Sequence, residues 1–202
     1  MADVRPVAGW FHESVTTPPT IVPFQAADAP GVAAVQVGNY HHDYAPFFPP
    51  GFWDGVTVEE QTSDWQAWLA QHPDDMLLVA HEGEEVAGYV LARRHPFHGT
   101  DAEIMALHVR AASRGRGYGT ALLRAALLAL QAKGAQSVGL STLEAHTSRA
   151  WYERLGGQLG NVLTQTYGDH LVREVVFSWP AIRALLTHLE SPPAEARPID
   201  RH

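Results

Sequence analysis

The sequence predicts an α/β (α+β) fold in which one mixed, mainly antiparallel sheet is flanked by helices. Apolar, strand-like runs follow one another across turns of a few residues, a spacing that favours antiparallel pairing. A strand–loop–helix–strand unit over residues 102–143 predicts one parallel, right-handed crossover within the same sheet. The chain has 202 residues, of which 46% are hydrophobic and 18% are charged, the composition of one globular domain.

Prolines mark both ends of the predicted domain. Residues 1–19 predict an irregular N-terminal extension, residues 20–190 the folded domain, and residues 191–202 a disordered C-terminal tail. The N-terminus has an early acid and a proline instead of a long apolar stretch, so we expect no signal peptide. The most apolar window, 121–132, is too short to span a bilayer and contains Arg124. We therefore expect a cytoplasmic protein with no membrane partner.

Charge and cysteine content exclude several classes of function. The formal net charge is −8, from 14 Lys and Arg against 22 Asp and Glu. This balance argues against non-specific binding of nucleic acid, which needs a basic face, and mildly favours cationic partners. The absence of cysteine excludes disulfides, thiolate nucleophiles and zinc sites with Cys ligands.

The first elements are marked by prolines and aromatic residues. Residues 21–24 predict a strand, and Pro23 suggests that it lies at an edge of the sheet. Asp28 is predicted to cap a helix that has Pro30 in its first turn. Residues 44–56 combine aromatic side chains with prolines and glycines, which predicts a structured aromatic loop.

Hydrophobic periodicity predicts the central elements. Residues 58–70 favour a helix, and residues 76–80 and 85–92 favour two strands joined by a tight turn. A third strand is predicted at 102–109. The C-terminal half predicts helices at 118–133 and 147–155 and strands at 137–143, 159–166 and 170–178. A short last helix is predicted after Trp179-Pro180.

A glycine-rich loop over residues 114–120 carries the clearest chemical signal. It lies between a predicted strand and a predicted helix, so its main-chain N–H groups and the helix N-terminus suit a bound pyrophosphate. Arg114 and Arg116 add positive charge. The alternative is a simple turn into a helix. The P-loop pattern fails for lack of a lysine. The dinucleotide pattern fails at Thr120 and at Leu122, which disfavours a dinucleotide-dependent redox protein.

This region resembles the acetyl-CoA motif of the GNAT (Gcn5-related N-acetyltransferase) superfamily. The run Glu103–Val109 is followed by Arg114, Gly117 and Gly119, which fill the pattern Q/R-x-x-G-x-G/A. The later run Trp151–Gly157 is similar to the family segment written F-Y-x-x-x-G-F or G-G. The resemblance implies the GNAT acyl-CoA N-acyltransferase fold and an enzyme that transfers acetyl from acetyl-CoA, without a metal, to a primary amine by direct attack.

The resemblance also implies which residues bind acetyl-CoA. In the family, the strand before the loop pairs with the pantetheine arm and the loop binds the pyrophosphate. The matching cofactor-binding positions are Leu107, His108, Val109, Arg114, Gly115, Arg116, Gly117, Tyr118, Gly119, Thr120, Ser148 and Tyr152. Ala145 departs from the Asn that the family often has, which leaves His146, Thr147 or Ser148 to replace its contact.

Two residues match the family's catalytic positions. Glu103 lies six residues before Val109, and strand alternation places both on one face, where Glu103 is predicted as the general base acting through a water. Tyr152 is predicted as the general acid beside the sulfur. Alternatively, Glu103 is a solvated residue and Tyr152 an ordinary packed tyrosine. His108, on the opposite face, is a second candidate base.

The predicted acceptor is a small-molecule or peptide amine. Tyr44 and Trp53 of the aromatic loop are candidate substrate residues, because aromatic faces bind cations. They are equally compatible with a small core beneath the loop. His41-His42 and His95–His98 lack a metal-binding pattern and are predicted as surface residues. A homodimer is compatible with family analogy. A non-catalytic acyl-CoA-binding or regulatory module remains an alternative, favoured by Ala145 and opposed by Glu103 with Tyr152.

Overall fold

The computed structural model describes residues 19–190, with five helices and seven strands over this range. The predicted extension and C-terminal tail therefore lie outside the described residues, apart from Pro19. The strands are β1 (Thr20–Pro23), β2 (Met76–Glu82), β3 (Glu85–Arg93), β4 (Ala102–Val109), β5 (Val138–Leu143), β6 (Gln158–Tyr167) and β7 (His170–Trp179). The helices are α1 (Ala29–Asn39), α2 (Val58–Gln71), α3 (Tyr118–Ala132), α4 (Ser148–Arg154) and α5 (Ile182–Glu190).

The strands form one mixed sheet in the order β1-β2-β3-β4-β5-β7-β6. Every neighbouring pair is antiparallel except β4 and β5, which are parallel and connected through α3. The predicted fold class is confirmed, including the single parallel crossover over residues 102–143.

The pairing between β4 and β5 is confined to one end. Only Ala102 with Val138 and Glu103 with Gly139 are paired across these strands. The remainder of β4 keeps its partners on β3, and β5 keeps its partners on β7. The sheet therefore opens between the carboxyl ends of β4 and β5, and the main-chain groups of β4 that face this opening are left without a strand partner.

A β-bulge in β4 changes which side chains share a face. The register shifts between Leu91 and Ala92 of β3, so that Met105 is an extra residue on β4. An extra residue reverses the alternation of side chains on the bulged strand. Ile104 and Val109, five residues apart, consequently pack in the same core. Even spacing across this bulge no longer means a shared face.

Two cores cover the two faces of the sheet. The larger one lies beneath α3 and α5 and includes the fully buried Leu122, Leu127 and Phe177. The second lies beneath α1 and α2 and includes Val32 and Tyr89. A third, smaller cluster joins the aromatic segment to the sheet, with Phe48, Trp53, Leu143 and Val172 at its centre.

The segment around α1 differs from the prediction at both ends. The Asp28 carboxylate accepts from the N–H of Gln25 at 2.8 Å, within a short 3₁₀ turn before the helix, and its side chain does not cap α1. Beyond Asn39 the chain continues in a π-helical turn, Tyr40–Tyr44, and a 3₁₀ turn, Ala45–Phe47. The aromatic loop therefore begins as helix. Wide π turns shift the direction of the following side chains, and this one brings Tyr44 over the opening in the sheet.

Among residues 19–190, no helix is both long enough and apolar enough to cross a membrane.

Candidate active site

A cavity of about 720 Å³ occupies the opening between β4 and β5. Its wall combines the end of β4, the glycine-rich loop, the start of α3, the middle of β5 and the turn into α4. Fourteen of the candidate site residues named from the sequence line it: Tyr44, Leu107, His108, Val109, Arg114, Gly115, Gly117, Tyr118, Gly119, Thr120, His146, Thr147, Ser148 and Tyr152. The opening in the sheet thus brings together segments that are far apart along the chain.

Glu103 does not line this cavity. Its carboxylate accepts two hydrogen bonds from the Arg93 guanidinium, at 2.8 and 2.9 Å, at the far end of β4. The bulge at Met105 places it on the opposite face from Val109, because its neighbour Ile104 packs in the same core as Val109. The shared face predicted from even spacing is therefore wrong, and the catalytic role of Glu103 stays a prediction.

Arg116 and Trp53 also lie away from the cavity wall. Arg116 is ion-paired with Glu82, and its guanidinium lies 5.7 Å from the centre of the Tyr118 ring. Trp53 is buried in the small aromatic core and stacks on Tyr40 at 4.3 Å between ring centres. The packing of Trp53 is that of a core residue. Its proposed substrate contact has no geometric support.

The glycine-rich loop presents free main-chain donors to the cavity. Gly115 and Gly117 have φ values of +71° and +86°, which residues with a Cβ atom rarely adopt. Within the described part of the chain, none of the N–H groups of residues 115–120 donates a hydrogen bond to a protein group. α3 starts directly after Gly117, so its positive N-terminal dipole adds to these donors. Such a loop can bind a diphosphate.

Arg114 connects the loop to α1 instead of standing free. Its Nε donates to the main-chain carbonyl of Val109 at 3.1 Å, and its guanidinium also donates to the side-chain oxygen Oδ1 of Asn39 at 2.8 Å. Both oxygens of Asp43 accept from the same guanidinium. Asn39 and Asp43 were not identified from the sequence. They lie about 70 positions from Arg114 and belong to no local motif.

The contact with Arg114 fixes the hydrogen bonds of His108. A guanidinium only donates, so the oxygen of the Asn39 amide faces Arg114 and its nitrogen faces His108 Nδ1 at 3.1 Å. His108 Nδ1 is then an acceptor, and the proton of the neutral ring is on Nε2. Burial lowers the pKa of His108 to about 4, against a smaller opposing effect of Asp43. At neutral pH this imidazole is an uncharged donor on the cavity wall.

His146 is held in the same tautomer on the other side of the opening. Its Nδ1 accepts from the Ser148 N–H at 3.1 Å and lies 2.7 Å from the Ser148 hydroxyl, which is 2.9 Å from the Thr142 hydroxyl. Burial lowers the pKa of His146. The region where the family often has an Asn is thus closed by a local hydrogen-bond network, in which the Ser148 hydroxyl is already engaged.

Tyr152 lies in the wall with a hydroxyl that makes no hydrogen bond to the described residues. Its ring is buried against Trp151 and Phe177, at 5.2 and 5.7 Å between ring centres. Burial raises the pKa of Tyr152 well above its usual value, so the hydroxyl keeps its proton throughout the neutral range. It is a free hydrogen-bond donor inside the cavity.

Tyr44 covers the cavity from above. Its ring lies 5.9 Å from His108 and 5.2 Å from His146, so it spans the two sides of the opening. Burial raises the pKa of Tyr44, and the phenols of Tyr152, Tyr40 and Tyr167 add to this effect, with a still smaller contribution from the Glu174 carboxylate. The candidate acceptor residue and the candidate acid therefore belong to one site.

No group of three or more His, Cys, Asp or Glu side chains within residues 19–190 has the arrangement of a metal site.

Comparisons with known proteins agree with this architecture. A sequence model of the Acetyltransferase (GNAT) family matches residues 39–157. The chain is similar to the solved structure of a GCN5-related N-acetyltransferase from Rhodopseudomonas palustris, with 17% identity and a TM-score of 0.65, over 81% of this chain and 96% of that one. No curated protein sequence matches the chain.

Two further similar structures were solved with coenzyme A or acetyl-CoA bound. One is the PaiA N-acetyltransferase from Thermoplasma acidophilum in complex with coenzyme A, with 16% identity and a TM-score of 0.61, over 78% of this chain and 98% of that one. The other is a phosphinothricin acetyltransferase from Sinorhizobium meliloti in complex with acetyl-CoA, with 18% identity and a TM-score of 0.62, over 82% and 89%. At these identities the likeness shows a shared fold.

Proposed function

The chain belongs to the acetyltransferase (GNAT) family, and on this premise we propose that it transfers the acetyl group of acetyl-CoA to the primary amine of a small molecule or a peptide. One observation carries the proposal. The cavity between β4 and β5 has free main-chain donors for a diphosphate at one end and an unbonded tyrosine hydroxyl, that of Tyr152, in its wall.

The residues present fit acetyl-CoA. The N–H groups of residues 115–120 would bind the diphosphate, and the unpaired edge of β4 at 107–109 would bind the pantetheine arm as an added strand does. Gly115 and Gly117 leave open space where a Cβ would lie, so the loop can approach a ligand closely. When bound, acetyl-CoA supplies an activated acyl group and a thiolate leaving group.

Tyr152 is the proposed proton donor to the leaving sulfur. Its buried environment keeps the proton on the phenol oxygen, and no protein acceptor among residues 19–190 competes for it. A thiolate with a pKa near 8.5 is a weaker base than a tyrosinate, so the donor acts mainly by a hydrogen bond that strengthens as negative charge develops on sulfur.

The imidazoles do not supply a general base in this arrangement. His108 and His146 both accept at Nδ1, so the other nitrogen of each neutral ring already carries a proton. The assignment of Glu103 rests on family resemblance alone, because its carboxylate lies on Arg93 away from the cavity.

Two measurements test the proposed function. Calorimetry should detect acetyl-CoA binding to the full chain and no binding of NAD. Thiol release should then follow on addition of one or more amines from a panel that contains phenethylamine, spermidine and a peptide with a free N-terminus. Absence of acetyl-CoA binding would refute the proposal. Binding without release for every amine would favour the alternative, a non-catalytic acyl-CoA-binding module.

A further inference from the structure

Glu174 is a buried carboxylate that the proposed mechanism does not use. It lies on β7 opposite Leu143 of β5, and only 7% of the residue is exposed. One oxygen accepts from the Ser141 hydroxyl at 2.6 Å, and the other accepts from the Tyr167 hydroxyl at 2.8 Å. Within the described range it forms no ion pair with Lys, Arg or His.

This environment is incomplete for a buried negative charge. Buried carboxylates are normally paired with a cation, because two neutral donors replace only part of the lost hydration. The nearest candidate along the chain, Arg173, points to the other face of the strand and is paired with Glu144. A cation from outside the described part of the chain, such as a ligand ammonium group, could therefore pair with Glu174.

Glu174 also lies on the face of the sheet that carries the aromatic segment. Its neighbour Val175 packs beneath α3, whereas Val172, two residues away, packs with the aromatic cluster. The charge of Glu174 makes the smallest contribution to the raised pKa of the Tyr44 phenol, after burial and the phenols of Tyr152, Tyr40 and Tyr167. Glu174 does not itself line the cavity, but its hydrogen-bond partner Ser141 does.

Ser141 connects this carboxylate to the cavity. Ser141 lies on the cavity wall, and its single hydroxyl proton is directed to Glu174. A hydroxyl that donates its proton retains two acceptor positions, and no other group of the described chain bonds to this oxygen. Ser141 consequently presents an acceptor backed by a negative charge, which suits an N–H of a cationic or neutral amine.

We propose that Ser141 and Glu174 form the site that receives the acceptor's amino group and its proton. This inference rests on the proposed function and deepens it. The Ser141 oxygen accepts the amine proton while the Ser141 proton moves to Glu174, and Tyr167 holds the second carboxylate oxygen in place. One N–H bond breaks and one O–H bond forms at Glu174. The nitrogen forms the amide bond, and the electron pair of the broken C–S bond leaves with sulfur as a thiolate that accepts a hydrogen bond from the Tyr152 hydroxyl. Glu174 then releases its proton to solvent, and the departing thiolate takes a proton from solvent.

The walls around this site favour an amine attached to an apolar or aromatic group. Tyr44 and His146 lie 5.2 Å apart between ring centres, and both line the cavity. Aromatic faces bind an ammonium group and pack against an apolar substituent. A primary arylalkylamine combines both features, so phenethylamine is a suitable probe and 2-phenylethanol is its uncharged counterpart.

Binding of these two probes to the full chain saturated with coenzyme A tests the charge of Glu174. Glu174→Gln should weaken phenethylamine binding about tenfold and leave 2-phenylethanol unchanged, since the variant removes the charge and keeps the size. Glu144→Gln is the matched control, because that carboxylate lies on the surface with Arg173. It should change neither affinity. Equal phenethylamine affinity for wild type and Glu174→Gln, including no binding to either, would overturn the proposal.

Steady-state acetylation of phenethylamine tests the hydroxyl. Ser141→Ala should lower kcat about tenfold or more with the KM for acetyl-CoA unchanged, and Ser141→Thr, which keeps the hydroxyl, should restore most of it. Equal rates for Ser141→Ala and wild type, or no recovery with Thr in a variant that is folded by circular dichroism, would overturn the relay.

The two proposals fail in different ways. A chain that binds acetyl-CoA and releases no coenzyme A with any amine contradicts the proposed function. Equal phenethylamine affinity for wild type and Glu174→Gln contradicts only this inference. That comparison measures binding and does not require the protein to turn over.

Discussion

The two ends of the cavity present different kinds of chemical group. The end formed by residues 107–109 and 114–120, here called the cosubstrate side, presents main-chain groups and a helix dipole. The end formed by Tyr44, Ser141 and Glu174, here called the acceptor side, presents side chains in a hydrogen-bonded and aromatic arrangement. Under the proposed function, the cosubstrate side would bind the diphosphate of acetyl-CoA, and the acceptor side would determine which amine can be used.

This difference predicts different sensitivities to substitution. Main-chain recognition fails only when the loop conformation changes or a charge of the wrong sign is introduced, so most side-chain changes there should be mild. Side-chain recognition fails whenever one partner is removed, because the remaining polar groups are left buried and unsatisfied. The Ser141 and Glu174 variants described above test the acceptor side. Four further substitutions test the cosubstrate side, the Tyr152 hydroxyl and the distant Glu103.

The largest effect is expected for Gly117→Glu. A carboxylate in the anion site, at a position with φ of +86°, should reduce acetyl-CoA affinity about 10³-fold, about 4 kcal/mol, the value of two hydrogen bonds to a charged group. Calorimetry measures it. Gly134→Glu, with φ of +84° at the other end of α3, is the matched control for backbone strain and should bind acetyl-CoA normally. Normal binding by Gly117→Glu would remove the loop from the site.

Tyr152→Phe should separate turnover from binding. Loss of the proton donor is expected to lower kcat about 10²-fold, while the acetyl-CoA affinity stays within about threefold of wild type. Tyr40→Phe is the control, because its hydroxyl lies 2.9 Å from Gln36 and does not line the cavity. Wild-type turnover of Tyr152→Phe would exclude the acid role.

His108 links the two sides and should make stability depend on pH. Its pKa is about 4 when folded and about 6.5 when unfolded, so the unfolded chain binds the extra proton first as the pH falls. The free energy of unfolding should therefore drop by about 2 kcal/mol from this group between about pH 7 and about pH 5.

Urea unfolding of wild type and His108→Asn at both pH values isolates this contribution. Subtracting the two pH-dependent changes removes effects common to both proteins, such as those of surface carboxylates. An identical pH dependence in the two proteins would contradict a neutral, buried imidazole.

The smallest effect is expected for Glu103→Gln. The substitution breaks an ion pair with the partly exposed Arg93, which is worth less than about 1 kcal/mol, and should change kcat/KM less than about threefold. A loss of about 10²-fold, with the protein still folded, would restore Glu103 as the base and weaken the role of Ser141 and Glu174.

The sequence predicted the fold and the cosubstrate side because both depend on local patterns. Strand alternation, short turns and a glycine loop before an apolar helix are visible within a few residues of one another. The bulge at Met105 has no such signal in the sequence, since neither glycine nor proline marks it. Because of this bulge, Glu103 lies on the face of β4 opposite to the one predicted.

The acceptor side could not be predicted in the same way. Ser141 and Glu174 occupy unremarkable positions in two strand patterns, and only the sheet order, with β5 beside β7, brings them into contact. Asn39 and Asp43 likewise acquire their role through Arg114, about 70 residues later in the chain. A side-chain site of this kind is a product of topology.

The short pairing of β4 with β5 has a consequence for cooperativity. The strands β1–β4 and β5–β7 are each joined by many main-chain hydrogen bonds internally, but only two residue pairs connect the two groups. The two groups of strands are otherwise held together by the side chains beneath α3. Their amides can therefore open to hydrogen exchange as two separate units. A ligand bound between β4 and β5 contacts both groups of strands and links them. Its binding should therefore slow amide hydrogen exchange even in strands that the ligand does not contact.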